Sequence, residues 1–228
     1  MVLLNIYEKE SDEEYLKKAE LLAEDLYKHL QGNISNLLTG LAHGMSGFAW
    51  PLIKLGSIIN NKKYIKFGMD LIAQEDKYYD PSENSWKDLR ENGGYISYWC
   101  YGSAGIALSR AKIKETLLAY SDSIDMDLID NDLLNGIKHI EGFKPKTHSI
   151  CHGSFGNIAI MMELNKISKN VNGVADIEIK NIEKSGVILG DNTFIMDYTF
   201  MQGASGIGYS LLRLTNNSYP SILSLEVF

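Results

Sequence analysis

A short motif, two glycines separated by two other residues, recurs along this chain at nearly equal intervals. The first glycines of the four copies are 58, 51 and 50 residues apart, and each copy leads into an apolar stretch. The copies begin at Gly44, Gly102, Gly153 and Gly203. A period near 50 residues has room for two helices and two loops, so each repeat is predicted to be a helical hairpin. Four stacked hairpins would form a curved double layer of inner and outer helices.

The spacing of apolar residues predicts an all-α chain. Ser11 and Glu14 are predicted to form a capping box for the first helix, and Gly32 is predicted to end it. Only short segments near 95–99 and 194–200 are expected to be extended. Helices are predicted over residues 12–30, 47–59, 63–76, 104–120, 125–141, 155–169, 174–185 and 205–215.

Composition and charge exclude several classes of protein. With 45% hydrophobic residues, the 228-residue chain can bury a core, which argues against a disordered protein. The net charge of −7 argues against binding to nucleic acid or to anionic lipid. No signal peptide or membrane-spanning stretch is expected, and a cytoplasmic, reducing location follows. The two cysteines are therefore not expected to form a structural disulfide.

Two thiols and an imidazole precede equivalent glycines in successive repeats. Cys100 lies before Gly102, and Cys151 and His152 lie before Gly153. Loops at equivalent ends of inner helices can meet, and sulfur and nitrogen donors are a ligand set that zinc prefers. Three protein ligands would leave one position open, as in catalytic zinc sites. The alternative is that both cysteines are buried as small hydrophobic residues.

His43 precedes Gly44 as His152 precedes Gly153, which makes it a candidate for proton transfer. The alternative role is a hydrogen bond at a helix terminus. Three other histidines, His29, His139 and His148, are predicted to lie at the surface, and residues 144–148 are predicted to form a solvated loop. The sequence has no phosphate-binding loop, dinucleotide-binding fingerprint or nucleophile elbow.

Four sequence segments together resemble the lanthionine synthetase C-like family, the cyclases of lantibiotic biosynthesis. They are GLAHGMSG at 40–47, WCYG at 99–102, CHG at 151–153 and GASGIG at 203–208. The resemblance runs from about residue 12 to the C-terminus and covers the second half of a typical member. It implies an α/α toroid with seven inner helices ringed by outer ones, of which this chain would supply about four hairpins. Residues 1–228 would then be one cyclase domain that lacks the N-terminal repeats.

The resemblance also implies a chemistry and a set of partners. Zn²⁺ would be held by Cys100, Cys151 and His152, and a cysteine of a dehydrated precursor peptide would add to dehydroalanine or dehydrobutyrine to form a thioether ring. His43 matches the histidine proposed to protonate the resulting enolate, and Tyr101 matches the tyrosine beside the first zinc cysteine. Partners implied are a dehydratase and exporter complex, through which the chain would lie peripherally at the membrane, and a chain supplying the missing N-terminal half.

Two departures from the family pattern leave alternatives open. The family arginine four residues before the first zinc cysteine is replaced by Ile96, and nearby Arg90 does not match that position. An aspartate with an acid/base role belongs to the half that is absent here. The alternatives are a non-catalytic remnant or partner-dependent half, and a module that binds zinc and thiol peptides or glutathione without cyclising them. Prenyltransferase toroids are disfavoured because they commonly use an aspartate-containing ligand set.

Overall fold

The computed structural model describes residues 1–91, 93–118, 126–164, 171–190 and 197–226, and within these ranges the chain is mainly helical. Short 3₁₀ turns span Ile34–Asn36 and Asp76–Tyr78, and one antiparallel ribbon pairs β1 (Tyr79–Asp80) with β2 (Ser85–Trp86). The α-helices of these ranges are α1 (Val2–Glu10), α2 (Glu13–Leu30), α3 (Met45–Ile58), α4 (Lys62–Glu75), α5 (Ser103–Leu117), α6 (Asp127–Gly142), α7 (Ser154–Glu163), α8 (Val171–Ser185) and α9 (Ala204–Thr215).

The helices pack as the repeated hairpins that the glycine motif predicts. Helix α3 pairs with α4, α5 with α6 and α7 with α8. The first helix of each pair also contacts the first helix of the next, which gives a row α3–α5–α7–α9. The prediction of an all-α fold built from stacked hairpins is confirmed.

Burial separates the two layers of the fold. Inner helix α5 has 11 of its 15 residues buried, whereas outer helix α6 buries 6 of 16 along one face. A helix that is buried on almost every side lies between other elements, whereas an amphipathic helix with one buried face leaves the other face for solvent. None of the helices in the described ranges is long and apolar enough to cross a membrane.

The second glycine of each motif packs against the loop that leads into its own helix. A Cβ atom added at this position would lie 1.9–2.2 Å from the carbonyl oxygen of the residue six positions earlier. The contact is the same in all four repeats, at Gly47, Gly105, Gly156 and Gly206. Any side chain would force this loop away from the helix, so the motif fixes how each inner helix begins.

A buried charge cluster joins the first two hairpins. The Arg110 guanidinium on α5 is fully buried; its Nη2 donates to Glu75 Oε2 at 2.9 Å and its Nε to Asp132 Oδ2 at 2.6 Å. Its Nη1 donates to Ser46 Oγ at 3.0 Å. The cluster therefore ties together α3, α4, α5 and α6, and the hydrogen bonds satisfy charges that would otherwise be costly to bury.

Several details differ from the sequence predictions. Helix α1 was not predicted, and the N-cap of α2 is Asp12, whose side chain accepts from the Glu14 N–H at 2.9 Å. Ser11 instead ends α1 in a left-handed conformation, so the predicted capping box is wrong. The segment 95–99 forms isolated bridges, at Tyr95 and Ser97, and the ribbon β1–β2 was not predicted. Residues 119–120, 125, 165–169 and 194–196 of the predicted elements lie outside the described residues.

Candidate metal centre

Three potential metal ligands from two successive repeats converge at one end of the inner helices. The ligand atoms of Cys100, Cys151 and His152 all lie within 4.8 Å of one another. Cys100 is buried, and Cys151 and His152 are half-buried. Both thiols are free rather than joined in a disulfide, as expected.

Loop contacts hold the two cysteines in place. The Ala42 N–H donates to the Cys100 carbonyl at 3.1 Å, and the Cys151 N–H donates to the Met201 carbonyl at 2.9 Å. Gly40, with φ +106°, allows the loop before α3 to approach Cys100, because a Cβ there would lie 3.2 Å from the Cys100 carbonyl oxygen and 3.0 Å from the Tyr101 Cα. Loops from neighbouring repeats therefore brace the site.

The orientation of the His152 ring is set by a backbone carbonyl. Its Nε2 lies 2.9 Å from the Gly190 carbonyl oxygen. Because a carbonyl can only accept, Nε2 carries the hydrogen in this contact, and Nδ1 of the neutral ring has the free lone pair. A histidine that ligates a metal through one nitrogen usually donates from the other in this way.

The two thiols interact strongly enough to separate their pKa values. The hydrogen bond with Cys100, helped by His152 and by the charge of His43 and opposed by burial, lowers the pKa of Cys151 to about 5. The same hydrogen bond, together with burial, raises the pKa of Cys100. One thiolate is thus favoured near neutral pH, which is the protonation state that a metal ion requires of a cysteine ligand.

These residues fit a zinc ion. Two sulfurs at a tetrahedral zinc are about 3.8 Å apart, so ligand atoms within 4.8 Å need to move only slightly to close on an ion. The donors are sulfur and nitrogen, and the His152 ring already presents Nδ1. Three ligands leave a fourth position for an exchangeable group.

His43 and Tyr101 lie beside this cluster. The exposed His43 imidazole stacks on the Tyr101 ring, with centroids 4.6 Å apart and planes 16° from parallel. The charge of His43 also contributes to lowering the pKa of Cys151. The five residues singled out in the sequence are therefore brought together in one place.

Arg90 belongs to the same site, although the sequence motifs did not include it. Its guanidinium carbon lies 3.2 Å from the centroid of the Tyr101 ring, a cation–π contact, and its charge acts on Cys100. Asp88, which is buried, accepts from Arg90 Nε at 3.0 Å through both carboxylate oxygens and also pairs with Nη2. Ile96 lies in the same loop and is half-buried, and its carbonyl accepts from the Ser103 N–H at 3.1 Å.

Other residues near the cluster were also missed or misplaced. The Tyr98 ring meets the His152 ring edge-on at 5.8 Å, and Gly190 supplies the carbonyl described above. Of the three histidines predicted at the surface, His29 is exposed and His139 is half-buried. His148 is buried, because its Nδ1 accepts from the Ile188 N–H at 2.7 Å, so its predicted surface position is wrong.

Comparison with known proteins agrees with this geometry. A family model described as lanthionine synthetase C-like protein matches residues 1–227. The chain therefore belongs to the lanthionine synthetase C-like family, and the match includes α1, ahead of the expected start near residue 12.

Two individual proteins are similar to this chain. The lacticin 481/lactococcin biosynthesis protein LcnDR2 of Lactococcus lactis subsp. lactis is 28% identical over 214 residues, which are 88% of this chain and 23% of that protein. The solved structure of nisin cyclase matches with a TM-score of 0.59 at 21% identity, over 83% of this chain and 50% of that one. The similarity to the nisin cyclase structure supports the toroid-like helical fold. The chain spans about half the length of nisin cyclase and about a quarter of the lacticin protein.

Proposed function

We propose that this chain is a zinc-dependent peptide cyclase that forms thioether rings of the lantibiotic type, as one domain over residues 1–228. The convergence of Cys100, Cys151 and His152 from two repeats carries the proposal, because these residue types at this separation suit a zinc with one open position. Family membership and the likeness to a lantibiotic biosynthesis protein support a peptide as the substrate.

In this proposal, Cys100, Cys151 and His152 hold the ion and orient it. A bound zinc would supply the positive charge that keeps a substrate cysteine as a thiolate at neutral pH. That sulfur forms a bond to the β-carbon of a dehydroalanine or dehydrobutyrine in the same peptide. The π electrons of the broken double bond pass into an enolate, which needs one proton at its α-carbon to complete the product.

His43 is the residue that we assign to this proton transfer. It is exposed beside the cluster and its charge reaches Cys151, so it lies at the edge of the space a substrate would occupy. Tyr101 and Arg90 hold its neighbourhood in place by stacking and by charge. An imidazole titrates near neutral pH and can give up a proton and regain it within one turnover.

A second candidate is a partner-dependent half that binds zinc and a thiol peptide without cyclising it alone. We retain this candidate because the chain spans about half the length of nisin cyclase. Purified chain given a dehydrated, cysteine-containing peptide would form thioether if the first proposal is right. Binding of the peptide without ring formation, followed by ring formation when a chain supplying further repeats is added, would favour the second.

Metal analysis tests the site itself. Elemental analysis after gentle purification is expected to find about one zinc per chain, and alanine at Cys100, Cys151 or His152 is expected to abolish stoichiometric zinc. His29→Ala is the control, because this exposed histidine on α2 contacts Asp25 rather than the cluster. Zinc retained in any one of the three ligand variants would remove that residue from the site.

A further inference from the structure

A cavity separate from the metal cluster lies in the third repeat. It has a volume of about 550 Å³ and lies between α7, α8 and the end of α6, where α8 packs less closely on α7 than α4 does on α3. Its apolar lining includes Ile140, Phe143, Met161, Val174, Ile177 and Ile188. The volume falls within the range of sites that hold small ligands.

The cavity has unpartnered polar groups in its wall. Asn157 is 5% exposed and lines the cavity, yet neither its amide nitrogen nor its amide oxygen has a hydrogen-bond partner among the residues that the structure describes. The Ser154 hydroxyl, one turn earlier on α7, is likewise buried and unpartnered. A buried polar group without a hydrogen-bond partner destabilises the folded state, and an apolar residue at this position would not.

Comparison of the four repeats shows that Asn157 occupies a position that is apolar in the other three. The residue at the same position of the other three glycine motifs is Phe48, Ile106 or Ile207, all of them apolar. Asparagine therefore replaces an apolar residue only in the repeat whose hairpin encloses the cavity. This difference within one chain is independent of the missing hydrogen bonds.

The other polar groups of the cavity indicate its specificity. His148 is already engaged, since Nδ1 accepts from the Ile188 N–H at 2.7 Å and Nε2 lies 3.4 Å from Glu178 Oε1. Glu178 also accepts from Asn181. The exposed charged side chains of the lining are Lys144, Lys146 and Glu141, and neither lysine pairs with a carboxylate in the part of the chain that the structure describes. The exposed charges around the mouth of the cavity are therefore two lysines against one glutamate among the described residues, a net positive charge.

We propose that this cavity binds a segment of the substrate peptide that places an apolar side chain inside and an acidic residue at the mouth. A peptide bond presents one donor and one acceptor, which the Asn157 carboxamide can pair with simultaneously, and the apolar wall takes the side chain. Lys144 and Lys146 attract the acidic residue. The proposal rests on the proposed peptide substrate, but it requires neither metal nor catalysis.

The cavity is connected to the metal centre by a short backbone segment. Ile188 contacts His148 in the cavity through its N–H, and the Gly190 carbonyl accepts from His152. A peptide seated here would therefore be held near the cluster while another of its segments reacts. This placement suits a docking site that retains the peptide between successive ring closures.

Calorimetric titration of the full chain tests the proposal without any cyclisation. The probe is a terminally blocked five-residue peptide of alternating leucine and aspartate, and the matched probe has lysine in place of aspartate. The acidic probe is expected to bind, with chelator-treated protein binding equally well, and the lysine probe is expected to bind about tenfold more weakly or not at all. Equal binding of both probes, or no binding of the acidic one, would overturn the proposal.

Variants then locate the binding. Asn157→Leu is expected to raise Tm, because an unpartnered amide is removed, and to weaken the acidic probe by about tenfold. Asn36→Leu, on an exposed 3₁₀ turn, is the control and should leave binding unchanged. Reversing both Lys144 and Lys146 to glutamate should also abolish binding, whereas the same charge change at exposed Lys17 and Lys62 should not. A lower Tm with unchanged binding in Asn157→Leu would contradict the assignment.

Discussion

The His43 imidazole lies 4.6 Å, centroid to centroid, from the Tyr101 ring, in a nearly parallel stack. His43 belongs to the loop before α3, and Tyr101 follows Cys100 in the loop before α5. The stack thus fixes a potential proton donor of one repeat against the residue that follows a potential metal ligand, Cys100, in the next repeat. A planar stack leaves the edge of the imidazole, with its two nitrogens, free to meet a substrate.

The stack allows the proton-transfer role of His43 to be separated from its packing role. His43→Phe keeps an aromatic ring against Tyr101 but has no proton to give, and His43→Ala removes both. Both variants are expected to slow ring closure by about 10²–10⁴-fold with zinc content intact, measured by mass spectrometry of the product and elemental analysis. Near-normal activity of His43→Phe would show that only the packing matters.

Arg90 is expected to support the site through Tyr101. Arg90→Met removes the cation over the ring and leaves buried Asp88 without its partner, so ring closure should fall about tenfold while zinc is retained. Arg90→Lys restores the charge but not the forked contact with Asp88, so it should rescue only partly. Full rescue by lysine would mean that the forked geometry is unimportant.

Gly40 is expected to be more sensitive than another glycine with similar backbone geometry. Gly40→Ala forces a residue with a side chain into φ +106° and brings its Cβ within 3.0 Å of the Tyr101 Cα. Gly32→Ala is the matched control, with φ +91° and nothing within 4 Å of the new Cβ. The control should lose about 1–3 kcal/mol in denaturant unfolding from strain alone. Equal losses of unfolding free energy in the two variants would show that the contact of Gly40 with the loop at Tyr101 does not contribute to the effect.

Arg110 is expected to be the most sensitive charged residue of the first two hairpins. Arg110→Ala leaves Glu75 and Asp132 buried without their counter-charge, which should cost about 3–5 kcal/mol of unfolding free energy. Lys66→Ala removes an exposed ion pair with Asp70 and should cost less than about 1 kcal/mol. Urea unfolding measures both, and a similar small loss in each would contradict the structural role of the buried cluster.

Asp132 is expected to make stability depend on pH. Burial raises its pKa from 3.8 to about 7, with Arg110 opposing the rise and Asp76 adding to it. The folded state therefore holds a proton between about pH 4 and 7 that the unfolded state releases, so this contribution to stability is lost as the pH rises through that window.

Thermal unfolding of Asp132→Asn compared with the unmodified chain checks this expectation. The variant cannot ionise, so its Tm should fall less between pH 5 and pH 8. Asp130→Asn removes a more exposed carboxylate of the same helix, paired with Lys114, and should keep the original pH dependence. The same pH dependence in all three proteins would exclude Asp132 as its source.

The sequence predicts the repeated hairpins and the metal cluster because both follow from strict local requirements. Gly105 and Gly156 meet the carbonyl oxygens of Trp99 and Ile150, so no other residue fits there and the pattern survives in the sequence. Cys100 and Cys151 hold equivalent places in that pattern. Stacking equivalent units brings equivalent loops together, which is why their convergence could be expected.

The residues that sequence reasoning missed depend on contacts between distant segments. Arg90 lies ten residues before Cys100, and it reaches Tyr101 because the intervening loop folds back through the Lys87–Tyr95 bridge. His148 is buried because the backbone of Ile188, forty residues later, closes over it. Neither arrangement produces a periodic pattern in the sequence. A short charged loop that is partly buried has the same kind of sequence as one that is fully solvated.

The division of the ligands between repeats has a consequence for assembly. Cys100 comes from the second hairpin and Cys151 with His152 from the third, so neither hairpin alone holds the full set. Metal affinity therefore reports docking of one hairpin on the next, whereas helix content reports the hairpins themselves. A cobalt(II) ion, coloured when bound by thiolates, would act as an optical gauge of that docking during unfolding, read beside circular dichroism on the same sample.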